Sequence, residues 1–199
     1  MKKIGVLACK MLQDEIVYLI QNDSKIQEIV VIEEEQNEFV EKLNKLNVSY
    51  QSVPSIEAIL DRTAADGSDD NEDNDEDDDN EEGAVSLIVW NLKLGLHDSP
   101  KILKEKVYTC ANRLAKKVNG VCLFYGSCGS VLDKIEDDFK PYPLVILRDK
   151  DGYIADDCIS ATVGGRIAYR GFLKSLRGAA TLIFTPMYSV AAEEYFEGS

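Results

Sequence analysis

The chain has 199 residues and a formal net charge of −14, and 45% of its residues are hydrophobic. A chain of this length and hydrophobic content can bury the core of one domain. The charge comes mostly from residues 66–82, which include 12 acidic residues and no basic one; without them it would be −2. This balance argues against a nucleic-acid partner, which needs a basic surface. No run of about 18 apolar residues is present to span a membrane.

The first part of the chain alternates short apolar runs with helical patterns. Residues 4–8 predict a buried strand, and residues 10–21 predict a helix because their apolar positions are three or four apart. Asp14 and Glu15 lie in the first turn of this helix, where its dipole favours acidic side chains. The same patterns predict strands at 29–32 and 48–53, a helix at 37–46 and a short helix at 55–60.

An acidic insert, at about 64–84, interrupts this alternation. Like charges repel one another and bury no apolar surface, so we expect a disordered, solvated loop. Weak cation binding or contact with a partner remain alternatives. The insert lacks the spaced oxygen ligands and turn glycine of a calcium loop.

The alternation resumes after the insert. A strand is predicted at 86–94, and a helix at 100–117 follows Ser99 as its N-cap and Pro100 as its first residue. The remaining pattern predicts strands at 121–125, 144–147 and 181–185, and helices at 130–137, 156–161, 167–176 and 191–196. Strands that alternate with helices indicate one doubly wound, Rossmann-like α/β domain over residues 1–199, with a mostly parallel sheet of about five to seven strands.

Three of the five cysteines follow predicted strands. Cys9, Cys128 and Cys158 come after the first strand, the strand at 121–125 and the strand at 144–147. Because the carboxyl ends of parallel strands meet at one edge of a sheet, where ligands bind, we expect these thiols to form a site. Cys110 and Cys122 lie inside a helix and a strand and are assigned to the core.

These thiols favour a metal site in a reducing compartment. No signal peptide is evident, so we expect a cytoplasmic protein whose cysteines are free thiols or metal ligands rather than disulfides. Thiolates with one imidazole suit zinc or another thiophilic metal, and the set would be Cys9, Cys128, Cys158 and His97. No two ligands are close in sequence, so cysteines buried as small hydrophobic residues remain the alternative.

Several other residues could help to hold a cofactor. Gly126 and Gly129 allow a tight turn around Cys128, with the outline of a nucleophile elbow. Backbone amides near residues 164–166 and the Arg166 guanidinium could bind an anion, although a turn with a surface arginine is equally consistent. The full set of candidates for cofactor contacts is Glu15, Gly126, Gly129, Asp157, Gly164, Gly165 and Arg166.

Four segments together resemble an uncharacterised family, domain-of-unknown-function family 1638. Its pieces A-C-x-x-L-x-x-E, Y-G-x-C-G and D-C match the segments around Cys9, Cys128 and Cys158. Such proteins occur in methanogens and other anaerobes and are often encoded near corrinoid-dependent methyltransferase systems. The resembling segments are residues 8–15, 95–97, 125–129 and 156–166.

The resemblance implies that Cys9, Cys128 and Cys158 are site residues and associates the protein with methyl-transfer (methanogenic) metabolism. Together with the three thiols at one sheet edge, it leads us to expect an accessory protein that binds a metal or metallocofactor, including a corrinoid, and works with a protein partner. Its catalytic residues are unknown. One alternative is an enzyme in which a thiolate-bound metal activates a thiol substrate and Glu15 or His97 moves the proton. Another is a non-catalytic regulatory subunit that contacts a basic partner through the acidic insert.

Overall fold

A computed structural model describes residues 1–34, 38–61, 83–94, 96, 99–181, 183 and 185–187. In these residues, six strands form one sheet with helices packed on both faces. None of the described helices is long and apolar enough to cross a bilayer. The strands are β1 (Lys2–Cys9), β2 (Ile26–Ile32), β3 (Gln51–Val53), β4 (Val85–Leu92), β5 (Gly120–Phe124) and β6 (Leu144–Ile146). The helices are α1 (Gln13–Asn22), α2 (Glu38–Lys45), α3 (Pro100–Ala115), α4 (Ile135–Asp138), α5 (Cys158–Thr162) and α6 (Arg166–Ser175).

The strand order is β3-β2-β4-β1-β5-β6, and every neighbouring pair is parallel. β1 lies between β4 and β5, with Cys9 opposite Leu92 and Ala8 opposite Phe124. An all-parallel sheet with helices on both faces confirms the predicted doubly wound, Rossmann-like α/β fold.

The alternation of side chains along β1 determines which helix covers which face. Val6 and Ala8 point to the face on which Ile16 of α1 packs. Leu7 points to the opposite face, where it packs with Leu114 of α3. Because successive residues of a strand face opposite sides, the two helices bury different halves of the same strand. The core is therefore two apolar layers, one on each side of the sheet.

Helix α3 begins as the sequence predicts. The Ser99 side chain accepts a hydrogen bond from the backbone N–H of Ile102 at 3.5 Å, and Pro100 is the first helical residue. Such a cap satisfies one of the backbone donors left unpaired at a helix start. Trp90 of β4 is fully buried on the α3 face, and the Arg113 guanidinium lies 4.8 Å from its ring.

The structure differs from the sequence prediction in three places. The short helix predicted at 55–60 is a single 3₁₀ turn at Ile56–Ala58. The helix predicted from residue 130 begins only at Ile135, because Cys128, Gly129 and Ser130 have φ values of 48°, 75° and 67°, which a right-handed helix cannot contain. Of the strand predicted at 181–185, the described residues 181, 183 and 185 adopt no strand. The terminal helix predicted at 191–196 and residues 64–82 of the acidic insert lie outside the described residues.

Candidate functional site

The connections that leave β1 and β4 diverge at the carboxyl edge of the sheet. The chain goes from β1 to α1 on one face, whereas it goes from β4 to α3 on the other. β1 and β4 are direct neighbours, so the chain reverses direction across the sheet between them. In open α/β sheets this divergence creates a crevice, and ligands bind in it. Cys9, the last residue of β1, lies at this point.

A cavity of about 400 Å³ opens beside Cys9. Its lining contains all three cysteines that the sequence places after strands, together with apolar side chains from the β4–α3 connection. We call it the thiol cavity. Its lining residues include Cys9, Leu94, Leu96, Leu103, Tyr125, Gly126, Cys128, Gly129, Asp157 and Cys158. The predicted meeting of the three cysteines is therefore observed, along with Gly126, Gly129 and Asp157.

Two of the three cysteines are neighbours at one side of the cavity. Cys9 and Cys158 both pack against Met11 and Met187, and a hydrogen-bonding interaction between their thiols raises the pKa of Cys9 and lowers that of Cys158. Cys9 comes from the centre of the sheet, whereas Cys158 is the first residue of α5. Helix α5 lies against the turn Lys10–Leu12 that follows Cys9, and this packing brings the two residues together.

Asp157 fixes the position of Cys158. Its carboxylate accepts a hydrogen bond from the backbone N–H of Ser160 at 2.6 Å and so caps the start of α5. The Ser160 hydroxyl in turn accepts from the N–H of Asp156 at 3.2 Å. This reciprocal pairing holds the segment before α5 against the helix, as a capping interaction does.

Cys128 is held by backbone hydrogen bonds to the segment that precedes Cys158. The backbone N–H of Ser127 donates to the carbonyl oxygen of Ala155 at 2.7 Å, and the backbone N–H of Cys128 donates to the carbonyl oxygen of Asp156 at 3.0 Å. Cys128 has a left-handed backbone, which costs a non-glycine residue roughly 1 kcal/mol or more. Residues held in such a conformation cluster at functional sites.

Burial and mutual contact give the three thiols different acidities. The hydrogen bond to Cys158, together with burial, raises the pKa of Cys9 well above its ordinary value. Burial, with a contribution from the charge of Cys158, raises the pKa of Cys128 to about 12. The hydrogen bond from Cys9 lowers the pKa of Cys158, although burial and Asp157 oppose it. Cys158 is therefore the sulfur that most readily carries a negative charge.

Two methionines pack beside the thiols, and sequence analysis did not identify them. Met11 and Met187 are both buried, and they contact Cys9 and Cys158. The Met187 sulfur accepts a hydrogen bond from the Lys42 ammonium group at 3.4 Å, so it already has a polar partner. We therefore assign this methionine to packing around the thiols. Proximity to Cys9 in the sequence could have suggested Met11, whereas no local pattern indicates Met187.

One comparison with known proteins gives a match. A family model described as "Protein of unknown function (DUF1638)" matches residues 91–198, more than half of the 199-residue chain. The chain belongs to this family. Cys128 and Cys158 lie within the matched residues, whereas Cys9 precedes them. No curated protein and no solved structure matches this DUF1638 protein.

Three of the residues proposed for cofactor contacts lie in a second cavity. Glu15, Gly164 and Gly165 line a space of about 280 Å³, together with Phe124 and Leu147. Burial raises the pKa of Glu15, to which the charge of Asp14 also contributes. These residues do not line the thiol cavity of the DUF1638 protein, so Glu15 is not positioned to move a proton there.

The Arg166 guanidinium is paired with a carboxylate. Its Nε lies 3.3 Å from a carboxylate oxygen of Asp156, and Arg170 Nε lies 3.6 Å from the other oxygen. The Arg166 backbone N–H donates to Asp149 at 3.1 Å. Asp156 lines the thiol cavity, so the two arginines partly neutralise one of its acidic residues. The Arg166 side chain therefore forms an ion pair with Asp156, and its role in anion binding stays a prediction.

The predicted fourth metal ligand, His97, lies outside the described residues. Within the part of the chain that the structure describes, no three side chains of His, Cys, Asp or Glu are already arranged as ligands around one metal ion. The donor types nevertheless fit a soft metal, because three sulfur atoms line one cavity. Coordination would require the hydrogen bond between Cys9 and Cys158 to give way to sulfur–metal bonds.

Proposed function

We propose that this DUF1638 protein binds a thiophilic metal ion, or a cofactor that contains one, through Cys9, Cys128 and Cys158. The observation that supports this proposal is that three thiols from distant parts of the chain line one cavity, at the point of the sheet where ligands bind. We further propose, from the family resemblance, that the protein is an accessory component of corrinoid-dependent methyl transfer.

The chemistry of the thiols supports a soft metal rather than magnesium or calcium. Thiolates prefer zinc and other thiophilic ions, whereas hard cations prefer oxygen ligands. Cys9 and Cys128 both have raised pKa values, so each must lose its proton on binding. Metal binding therefore releases protons, and its affinity should fall as the pH decreases. A bound metal would supply Lewis acidity and would hold a thiol substrate as its thiolate.

The size of the thiol cavity limits what can enter. A volume of about 400 Å³ accommodates a metal ion and a small organic molecule. A complete corrinoid macrocycle exceeds this volume, so it would have to stay at the mouth of the cavity. We therefore favour a metal ion inside the cavity, with a corrinoid or its carrier protein as an external partner.

The test is the metal content of protein purified without oxygen. We expect the wild type to bind about one equivalent of Zn²⁺ or Co²⁺ in equilibrium dialysis, since three ligands form one site. Cys9→Ser, Cys128→Ser and Cys158→Ser should each lose most of this binding. Cys110→Ser is the matched control, because Cys110 is buried in α3 away from the cavity. Equal and negligible metal binding by the wild type and Cys128→Ser would contradict the proposal.

A catalytic role is the second candidate, and the apolar space beside the thiols favours it. Leu94, Leu96 and Leu103 leave room for a small substrate next to the sulfur atoms. In this case the protein would transfer a methyl group from a methylated corrinoid to a thiol. Turnover that Cys9→Ser abolishes and Cys110→Ser preserves would support the enzyme. Metal binding without turnover would leave the accessory role.

A further inference from the structure

The contact between Cys9 and Cys158 supports a chemistry that metal binding does not require. Both residues line the thiol cavity and pack against Met11 and Met187, and α5, which begins at Cys158, lies against the turn that follows Cys9, so the two thiols are neighbours. We propose that Cys9 and Cys158 form a dithiol that exchanges with small organic disulfides and closes to an intramolecular disulfide. This activity is separate from the proposed metal binding, because it needs two of the three cysteines rather than all of them.

The elements that carry the two residues allow this closure. A disulfide bond is about 2 Å long and requires a specific dihedral angle, so one partner must be able to move. Cys9 is the last residue of a central strand and is paired to β4. Cys158 begins α5, a helix of only 5 residues whose start is held by the Asp157 cap. Closure therefore requires a rotation of the Cys158 side chain toward Cys9.

The thiol cavity gives a small disulfide access to both residues. Both cysteines line the space of about 400 Å³, and neither is fully buried. Apolar side chains such as Leu103 and Ile159 line the same space. A small uncharged disulfide fits this volume and this lining.

The exchange proceeds in two steps. The Cys158 thiol loses its proton, and its sulfur attacks one sulfur of the organic disulfide; the ligand S–S bond breaks, a protein–ligand disulfide forms, and the first ligand thiolate takes up the proton and leaves as a thiol. Cys9 then loses its proton and attacks the Cys158 sulfur, which releases the second ligand thiol. The sum is one organic disulfide and two protein thiols converted to one protein disulfide and two ligand thiols. The organic disulfide is the oxidant, and no other is needed.

The other three cysteines are not positioned for this reaction. Cys110 is buried in α3, and Cys122 lies inside β5 with its side chain on the α1 face of the sheet. Cys128 lines the thiol cavity, but it does not share the contact with Met11 and Met187 that Cys9 and Cys158 have in common. The proposed pair is therefore Cys9 and Cys158.

The experiment uses metal-free full-length protein with hydroxyethyl disulfide as the probe. After reaction without air, remaining thiols are alkylated under denaturing conditions, and peptides are mapped by mass spectrometry. We expect a peptide in which residues 9 and 158 are linked, formed at least about tenfold faster than Cys110 or Cys122 is modified. Cys128→Ser should form the same link, and Cys110→Ser is the control for folding. Cys9→Ser should stop at a ligand disulfide on Cys158.

Two results would overturn the proposal. One is modification of Cys9 and Cys158 no faster than that of the core cysteines, and the other is a link that involves Cys128 instead. Cys128→Ser separates this activity from metal binding, because it should lose the metal and retain the disulfide. Protein that binds zinc but never forms the link refutes only the dithiol activity. Protein that forms the link but binds no metal refutes only the metal site.

Discussion

Gly126 lies directly against the backbone of Asp157, so closely that no side chain fits between them. A Cβ at position 126 would be 2.5 Å from the Cα of Asp157 and 2.6 Å from its nitrogen. This contact brings the loop that carries Cys128 next to the start of α5, which carries Cys158. The thiol cavity therefore requires a residue without a side chain at position 126.

We predict that Gly126→Ala destabilises the protein and separates Cys128 from Cys158. The atoms that the new methyl group would meet belong to backbone, which cannot move as a flexible side chain can. Overpacking of this kind costs about 1–3 kcal/mol of unfolding free energy. Urea unfolding measures the loss, and dialysis against Zn²⁺ measures the effect on the site.

Gly171→Ala is the matched control for Gly126→Ala. No atom lies within 4 Å of a Cβ at position 171, which is inside α6. Alanine there should be neutral or stabilise the helix by up to about 1 kcal/mol. If Gly126→Ala were as stable as Gly171→Ala, the contact with Asp157 would not determine the site.

The meeting of the three cysteines was predictable because it depends on topology. In a parallel sheet all strands end at the same edge, so residues that follow strands converge there without knowledge of the packing. The sheet and its helices were predictable for a similar reason: they follow from the alternation of apolar runs and amphipathic periods. The start of α4 was not, since three successive left-handed residues delay it.

The division of the other candidates between two cavities could not be read from the sequence. Phe124 lines one cavity and Tyr125 the other, because adjacent residues at the end of β5 point to opposite faces. Glu15 belongs to the face covered by α1, whereas Cys9 belongs to the face covered by α3. The sequence shows that both residues lie near the carboxyl edge of the sheet, but it does not show on which face of the sheet each of them lies. The position of Met187 beside the thiols likewise could not be predicted, because Met187 is far from Cys9 in the sequence.

We predict that Cys158 is alkylated faster than Cys128 at neutral pH. The hydrogen bond from Cys9 lowers the pKa of Cys158, whereas burial raises that of Cys128 to about 12. The thiolate is the reactive form, so the rate follows the fraction of thiolate present. Iodoacetamide labelling with peptide mapping gives the rate for each residue.

The source of the Cys158 reactivity can be tested by Cys9→Ala, which removes the hydrogen-bond donor. We expect the labelling rate of Cys158 at neutral pH to fall, by about tenfold for each pKa unit that it gains. The difference from wild type should disappear at alkaline pH, where the thiol ionises in both proteins. Cys110→Ala should leave the rate unchanged. A Cys9→Ala protein that is labelled as fast as wild type would exclude the hydrogen bond as the cause.

Tyr108 links α3 to α4 and should make stability depend on alkaline pH. Its hydroxyl donates to a carboxylate oxygen of Asp138 at 2.7 Å. Burial, followed by this hydrogen bond, raises the pKa of Tyr108. The folded state therefore retains the proton after the unfolded chain loses it near pH 10. The stabilisation is complete below that pH and is lost as the pH rises toward the folded-state value.

We predict that Tyr108→Phe lowers the unfolding free energy by about 0.5–1.5 kcal/mol at neutral pH, since it removes one hydrogen bond and keeps the ring. The ring should retain its packing against Phe139, at a centroid distance of 5.9 Å. The difference in unfolding free energy between the wild type and Tyr108→Phe should become smaller above about pH 10. Urea unfolding at both pH values measures it. A deficit that grew with pH would contradict the assigned direction of the pKa shift.

The close packing of α3 on β1 gives a prediction about the core that is independent of the site. A Cβ at position 5 would lie 2.7 Å from the Cγ and Cδ2 atoms of Leu114, and 3.1 Å from Val118. Gly5→Ala should therefore cost about 1–3 kcal/mol, and Leu114→Ala alone about 2–5 kcal/mol because of the cavity that it leaves. In the double variant the new methyl group occupies part of that cavity, so the combined loss should be smaller than the sum by about 1 kcal/mol or more. Urea unfolding followed by the fluorescence of Trp90, the single tryptophan, measures all three variants. Additive losses would mean that Gly5 and Leu114 do not pack against each other.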